Sequence, residues 1–275
     1  MTKYSNIDGK IGVEIECGLV TNYSESDFSK CLTEKHWRSG YDGSVHCRNA
    51  REIQSAPYLV RDLNNFFEDA KKVFSFIASS NSSCGLHIHI SFANLKQYYL
   101  LFSYKFVQAF QNYIKQQFIS VDERARLDNY YCKFYSNEQN FLNATKSQIA
   151  DHYKSCESYH IINYNAFNLY HTVEFRVFPG VSSLSELKKY VNMLLAFVDK
   201  YLSVEYPSIE GESNDEITEQ DESIELLDSY NLVDANDIEL LDNVISKNED
   251  IIQVETVDIN NSNELIFVES LEVTK

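Results

Sequence analysis

Polar and apolar positions alternate with a period of two along several stretches of this chain. Lys10 to Val20 is the first, with Val13 and Ile15 set between Gly12, Glu14 and Glu16. Successive side chains of a strand point to opposite faces, so the run predicts a strand that buries one face and presents both glutamates on the other. Arg51 to Ala56 (ended by Pro57), Cys84 to Phe92, Tyr159 to Tyr170 and Thr172 to Pro179 predict further strands. Trp37 to Cys47, with Gly40 and Gly43, predicts strand, turn and strand around Tyr41-Asp42-Gly43-Ser44.

The period becomes helical over Arg61 to Ala78, where Leu63, Phe66, Phe67, Ala70, Val73, Phe74 and Ile77 form one stripe. Leu95 to Phe118 and Ser183 to Tyr201 predict two more long helices. Ser183-Leu184-Ser185-Glu186 fits a capping box at the start of the last. Thr21 to Lys35 is polar and reads as a loop or short irregular insertion. Ser120 to Ser158 is polar too, with one helix expected near Lys146 to Cys156.

Composition adds a boundary. Of 275 residues 44% are hydrophobic, enough for a sizeable core. The net charge of -17 is unevenly spread: Ser203 onward holds 21 Asp and Glu against Lys247 and Lys275, and the rest is nearly neutral. That division predicts a catalytic domain over 1–204 and an acidic tail over 205–275, with the break near Pro207. The tail contains two echoes, 224–228 repeated at 238–242 and 254–259 loosely repeated at 268–273. It reads as an accessory module or a partly disordered segment, suited to docking a protein partner or to regulation. The acidity argues against a nucleic-acid binder driven by phosphate contacts. No run approaches the roughly 20 apolar residues of a membrane span, and residues 1–6 have no apolar core of a signal peptide. Six cysteines without a C-x-x-C pair predict reduced, structural thiols and a cytoplasmic protein.

Three predicted strands share one design: Glu14-Ile15-Glu16, His87-Ile88-His89 and Glu174-Phe175-Arg176. In one sheet, Ile15, Ile88 and Phe175 would face the helices while the polar members share an open face or a barrel interior. Asp42 and Glu52 from neighbouring strands would add to it, although Asp42 reads equally well as a turn-shaping residue before Gly43. Four or five carboxylates on one concave face need cations. Oxygen ligands with an imidazole suit Mg²⁺ or Mn²⁺ rather than a thiolate-rich zinc site. Arg176 offers a planar donor fork for a phosphate. Together these are the parts of phosphoryl transfer. There is no G-x-x-x-x-G-K-[ST] and no G-x-G-x-x-G, which excludes P-loop and Rossmann nucleotide binding. The other five histidines are assigned no role.

Gly12-Val13-Glu14-Ile15-Glu16, Asp42-Gly43-Ser44, Glu52-Ile53-Gln54-Ser55-Ala56-Pro57, Cys84-Gly85-Leu86-His87-Ile88-His89, and Asn168 followed by 172–180 resemble, in that order, the amidoligase family. These are carboxylate–amine ligases related to glutamine synthetase and glutamate–cysteine ligase, and the resemblance covers about Ile11 to Tyr201. It implies an α+β, glutamine synthetase-like fold: a largely antiparallel sheet whose polar concave face holds ATP and two or three Mg²⁺, with helices on the other face. It implies a two-step reaction in which ATP phosphorylates a carboxylate and an amine then attacks the acyl phosphate, releasing ADP and phosphate. The acid and amine would be small molecules, peptides or protein side chains.

Carried over residue by residue, Glu14, Glu16, Glu52 and Glu174 are expected to be metal ligands, and Asp42 a ligand or an amine-site acid. Of His87 and His89, one would be a ligand and the other would contact nucleotide or substrate. Arg176 would hold the transferring phosphate. Arg124 and Arg126, which precede Tyr131-Cys132, would bind phosphate or the substrate carboxylate, and Asn168 would order backbone beside the site. The sequence departs from the better-known ligases at Gln54, where they carry a further acid. Two rival readings stand beside this one: a metal-dependent hydrolase using the same acids and histidines, and a catalytically inactive ligand-binding or assembly protein of the same fold.

Overall fold

The computed structural model describes residues 3–150 and 159–205. Strands β1 (Gly9–Leu19), β2 (Arg38–Gly40), β3 (Ala50–Gln54), β4 (Tyr58–Leu59), β5 (Ile77–Ser79), β6 (Gly85–Phe92), β7 (Ile162–Asn163) and β8 (Val173–Pro179) form one sheet. Its order is β2-β3-β1-β6-β8-β7, with β4 and β5 paired to the two ends of β1, and these pairs are antiparallel. The helices are α1 (Glu25–Thr33), α2 (Leu63–Val73), α3 (Leu95–Leu101), α4 (Tyr104–Gln117), α5 (Val121–Leu127), α6 (Glu138–Ala150), α7 (Asn165–Tyr170) and α8 (Leu184–Glu205). The chain is therefore α+β around an antiparallel sheet, as expected.

The apolar members of each alternation make the core. Val13, Ile15, Ile53, Ile88 and Phe175 are all buried. Phe175 is held edge-on by Phe106 and Phe110 of α4, and both of those rings contact Phe197 of α8. Strict alternation would put Phe178 on the same face as Glu174 and Arg176. A bulge prevents this: Leu86 opposes Phe178 but Ile88 opposes Phe175, so β8 carries one extra residue. Phe178 thereby turns to the helix side, with its ring 5.5 Å from Tyr190 of α8. The capping box forms as predicted, since Glu186 N–H donates to Ser183 Oγ at 3.2 Å and Ser183 N–H donates to Glu186 Oε2 at 3.0 Å.

Several expectations need correction. Thr21 to Lys35 is not a loop throughout, because Phe28 and Leu32, one turn apart, are buried and Ser24 Oγ caps α1 by accepting from Asp27 N–H. The helix expected over 95–118 is broken at Ser103, whose Oγ accepts from Phe106 N–H and donates to the Leu100 carbonyl, ending α3 and starting α4. The helix expected over 61–78 stops at Val73, and Ile77 is buried by pairing with β1 instead. Only Arg38–Gly40 of the 37–47 hairpin is a strand, paired to β3. From Tyr159 to Tyr170 just two residues pair with β8; Asn163 Oδ1 then accepts from Asn165 N–H and opens α7. The helix expected near 146–156 overlaps α6 over 146–150, which begins earlier behind Asn137, whose Oδ1 accepts from Asn140 N–H; residues 151–156 lie outside the described residues. The acidic tail beyond Glu205, with both echoes, lies outside the described residues. Among the described residues no helix is long and apolar enough to cross a membrane.

Candidate metal centre

Register builds the site. Glu14 opposes His87 in β6 and Gln54 in β3, while Glu16 opposes Glu52. His89 opposes Glu174, which in turn opposes Asn163. Opposed residues share a face, so the i, i+2 pairs read from the sequence converge on the side of the sheet away from Phe175. His87 is the hub. Its Nδ1 lies 3.1 Å from Glu14 Oε2 and 3.3 Å from Glu174 Oε1, and its Nε2 lies 3.7 Å from Glu16 Oε1. Both ring nitrogens face carboxylates, whereas a neutral imidazole donates from one alone.

The acids divide into two triads. One ligand atom each from Glu14, His87 and Glu174 lie within 4.8 Å of one another, and so do one each from Glu16, Asp42 and Glu52. Asp42 comes from the loop after β2, where its Oδ1 accepts from both the N–H and the Oγ of Ser44 at 2.7 Å. The side chain that shapes the turn is thus also the one that lies beside Glu16 and Glu52. Gln54 Nε2 donates to Glu52 Oε1 at 2.8 Å and to Glu14 Oε1 at 3.3 Å, bridging the triads with a neutral amide. Glu16 Oε2 accepts the Gly85 N–H at 2.5 Å. A Cβ at Gly85 would come within 2.9 Å of Arg126 Nη2 and 3.2 Å of His87 Nε2, so a larger residue here would displace these side chains.

Arg176 Nη1 donates to Glu174 Oε1 at 2.6 Å and its Nε to the Tyr131 carbonyl at 3.4 Å. Arg126 is buried and donates from Nη2 to the Arg176 carbonyl at 2.8 Å; its Nε has no partner among the described residues. Arg124 is exposed. The two lie about 200° apart around α5, so only one of them faces the sheet. His89 Nδ1 meets Thr172 Oγ1 at 3.0 Å, whereas its buried Nε2 sits 3.5 Å from Glu14 Oε1 without a hydrogen bond among the described residues. Asn168 is placed elsewhere, with its Nδ2 donating to the Gln148 carbonyl in α6.

The electrostatics follow from this packing. Burial opposes ionisation of Glu14, but the hydrogen bond with His87 and the proximity of both imidazoles outweigh it and hold the carboxyl well below the usual range. Burial likewise opposes ionisation of Glu174, and Arg176 with the two histidines brings it down. For His89 burial favours the neutral ring, yet the nearby carboxylates of Glu14 and Glu174 raise it overall. Glu52 goes the other way, pushed up by burial and then by repulsion from Glu14. A face whose acids are clustered around two histidines, with one carboxyl pushed up and an orphaned imidazole nitrogen, fits a divalent cation. The Glu16, Asp42 and Glu52 triad offers only hard oxygen donors, and the Glu14, His87 and Glu174 triad adds one borderline imidazole nitrogen to two carboxylates.

Three contributors were not picked out from the sequence. Thr172 sits two residues before Glu174, so alternation alone could have found it. Gln54 reads in the sequence only as a missing acid, whereas in the fold it donates to two others. Asn163, which donates to Glu174 Oε2 at 2.6 Å, carries no local signal, because only the pairing of β7 with β8 brings it there.

An antiparallel sheet flanked by helices, with two acid-rich triads on the face away from Phe175, defines an α+β protein with a candidate metal-binding centre. A family model described as "Putative amidoligase enzyme" matches residues 18–198, and the chain belongs to that family. Membership points to an enzyme of the ligase class. The match begins at Gly18, so Glu14 and Glu16 precede it and are tied to the site by their register with His87 and Glu52. No curated protein matches the chain.

Proposed function

We propose that this protein is an ATP-dependent carboxylate–amine ligase of glutamine synthetase-like layout, forming an amide through an acyl phosphate and releasing ADP. The observation that carries the reading is the juxtaposition of two acid-rich triads with Arg176 on one open sheet face. Glu14, Glu174 and an imidazole from His87 would hold one Mg²⁺, with Glu16 and Glu52 holding a second. When bound, the cations would screen the phosphate charge and polarise the phosphoryl group.

The chain's own residues then divide the remaining work. Arg176 is anchored through Nη1 to Glu174 and through Nε to the Tyr131 carbonyl, which fixes its plane and leaves Nη2 to donate to a phosphoryl oxygen. Arg126 braces that strand through the Arg176 carbonyl and brings positive charge beside Gly85, next to His87 and Glu16. His89, fixed by Thr172 at Nδ1, presents Nε2 towards the acids and would contact nucleotide or substrate. Asp42 either completes the second triad or takes the proton from the incoming ammonium, which must be neutral to attack. Exposed Arg124 would reach only a ligand extending beyond the face.

The test is ADP release by the full chain with Mg²⁺, ATP and pools of carboxylates and amines. Amine-dependent ADP formation supports the ligase. Metal-dependent hydrolysis with no ADP from any pool would replace it with the hydrolase, and absence of Mg²⁺–ATP binding at millimolar concentration would favour the inactive binding protein.

A further inference from the structure

The loop that carries Asp42 is fastened to the turn preceding β6. His46 N–H donates to Ser83 Oγ at 2.8 Å, Asn81 Nδ2 donates to the His46 carbonyl at 3.1 Å, and Cys47 Sγ lies 3.3 Å from Cys84 Sγ. Cys47 is half-buried and Cys84 buried. The two thiols come from segments 37 residues apart and already touch, so closing to the S–S bond length of about 2.05 Å needs an approach of about 1.3 Å. Each is close in the chain to the second triad. Cys84 directly precedes Gly85, whose N–H holds Glu16, and Cys47 closes the loop that begins with Asp42.

We propose that Cys47 and Cys84 are a disulfide-forming pair, oxidised by a small-molecule disulfide, whose closure locks the Asp42 loop against the start of β6. The half-buried Cys47 loses its proton and attacks one sulfur of the oxidant, breaking its S–S bond and expelling one small thiolate. Cys84 then loses its proton and attacks Cys47 Sγ in the mixed disulfide, expelling the second small thiolate. Two protein thiols are oxidised, one small disulfide is reduced to two thiols, and these take up the two protons. Burial pushes the Cys84 thiol up to about 12, which makes the second displacement the slower one and speeds it as pH rises. The pair does not depend on the ligase reading.

The experiment treats the full-length folded protein with oxidised glutathione and maps its peptides without reduction. The expected result is a 47–84 link with two of the six cysteines lost to thiol titration. A glutathione adduct on Cys47 with Cys84 still free, two free thiols after prolonged exposure, or a link involving Cys17 would each overturn the assignment. Hydrogen exchange tests the lock itself. Amides of residues 42–49 should exchange at least about tenfold more slowly after oxidation, and the oxidant should leave Cys47→Ser unchanged. Equal exchange in the oxidised and reduced wild type would refute the locking role even if the bond forms.

Discussion

Replacing Glu52 by Gln probes the acid-rich face without relying on any reaction. Glu52 shares a triad with Glu16 and Asp42, with ligand oxygens within 4.8 Å. Two unit charges at that separation repel by about 3.5 kcal/mol at an effective dielectric constant of about 20. Glu52 and Asp42 are half-buried, so solvent screening brings each pair nearer to about 1 kcal/mol. Removing the charge on Glu52 relieves its repulsion from Glu14 and, more weakly, from Asp42, about two such pairs. Glutamine also keeps an oxygen for the 2.8 Å bond from Gln54, so no hydrogen bond is lost. Glu52→Gln should therefore gain about 2 kcal/mol in EDTA, raising Tm by roughly 4–8 °C.

With Mg²⁺ the order should reverse. A cation at 10 to 100 times its Kd stabilises the wild type by about 1.4–2.7 kcal/mol, and the variant, short of one charged ligand, gains less. The sign with pH follows from Glu52 being pushed up in the folded state. Its unfavourable contribution is absent in acid and appears as pH rises through the folded value, so the variant's advantage in EDTA should vanish below about pH 4. Thermal melts across Mg²⁺ concentration and pH measure all of this. A variant less stable than wild type in EDTA at pH 7, or an equal Mg²⁺-dependent rise in both, would refute the reasoning.

Arg176→Lys keeps the charge but loses the planar fork; turnover should fall more than about tenfold at unchanged Tm, read as ADP release beside a melt. Asp42→Asn should weaken cation binding in calorimetry if Asp42 is a ligand, but raise KM for the amine at unchanged cation affinity if it takes the ammonium proton. Phe175→Ala removes the ring wedged between Phe106 and Phe110 and should cost about 3–5 kcal/mol in urea denaturation. Burial opposes ionised Glu123, but Lys189 and the N–H groups of Ser120 and Ile119 bring it down to about 2. Its stabilisation is thus complete above about pH 4.5 and lost as pH falls towards 2. Glu123→Gln should accordingly cost on the order of 2 kcal/mol at pH 7, and the deficit should shrink in acid.

Local period was enough to place β1, β3, β6 and β8 and the stripes of α2 and α8, because the pleat and the helical turn act within a few residues. The same pleat put Glu14 with Glu16, His87 with His89 and Glu174 with Arg176 on common faces before any fold was known. Where local signals compete, the sequence read poorly. Ser103 looks like one polar position in an aromatic helix until its hydroxyl is seen capping the next one. Likewise, Phe28 and Leu32 are too sparse a stripe to announce α1.

Only the tertiary structure decided which acids share a triad, since Glu16 meets Glu52 and Glu14 meets His87 through register between distant segments. It chose Arg126 over Arg124 by the rotation of α5, brought Asn163 to Glu174 across a two-residue strand, and set Cys47 against Cys84. Those choices rest on pairings that no window of the chain contains. Residue types named the chemistry, and strand register arranged it.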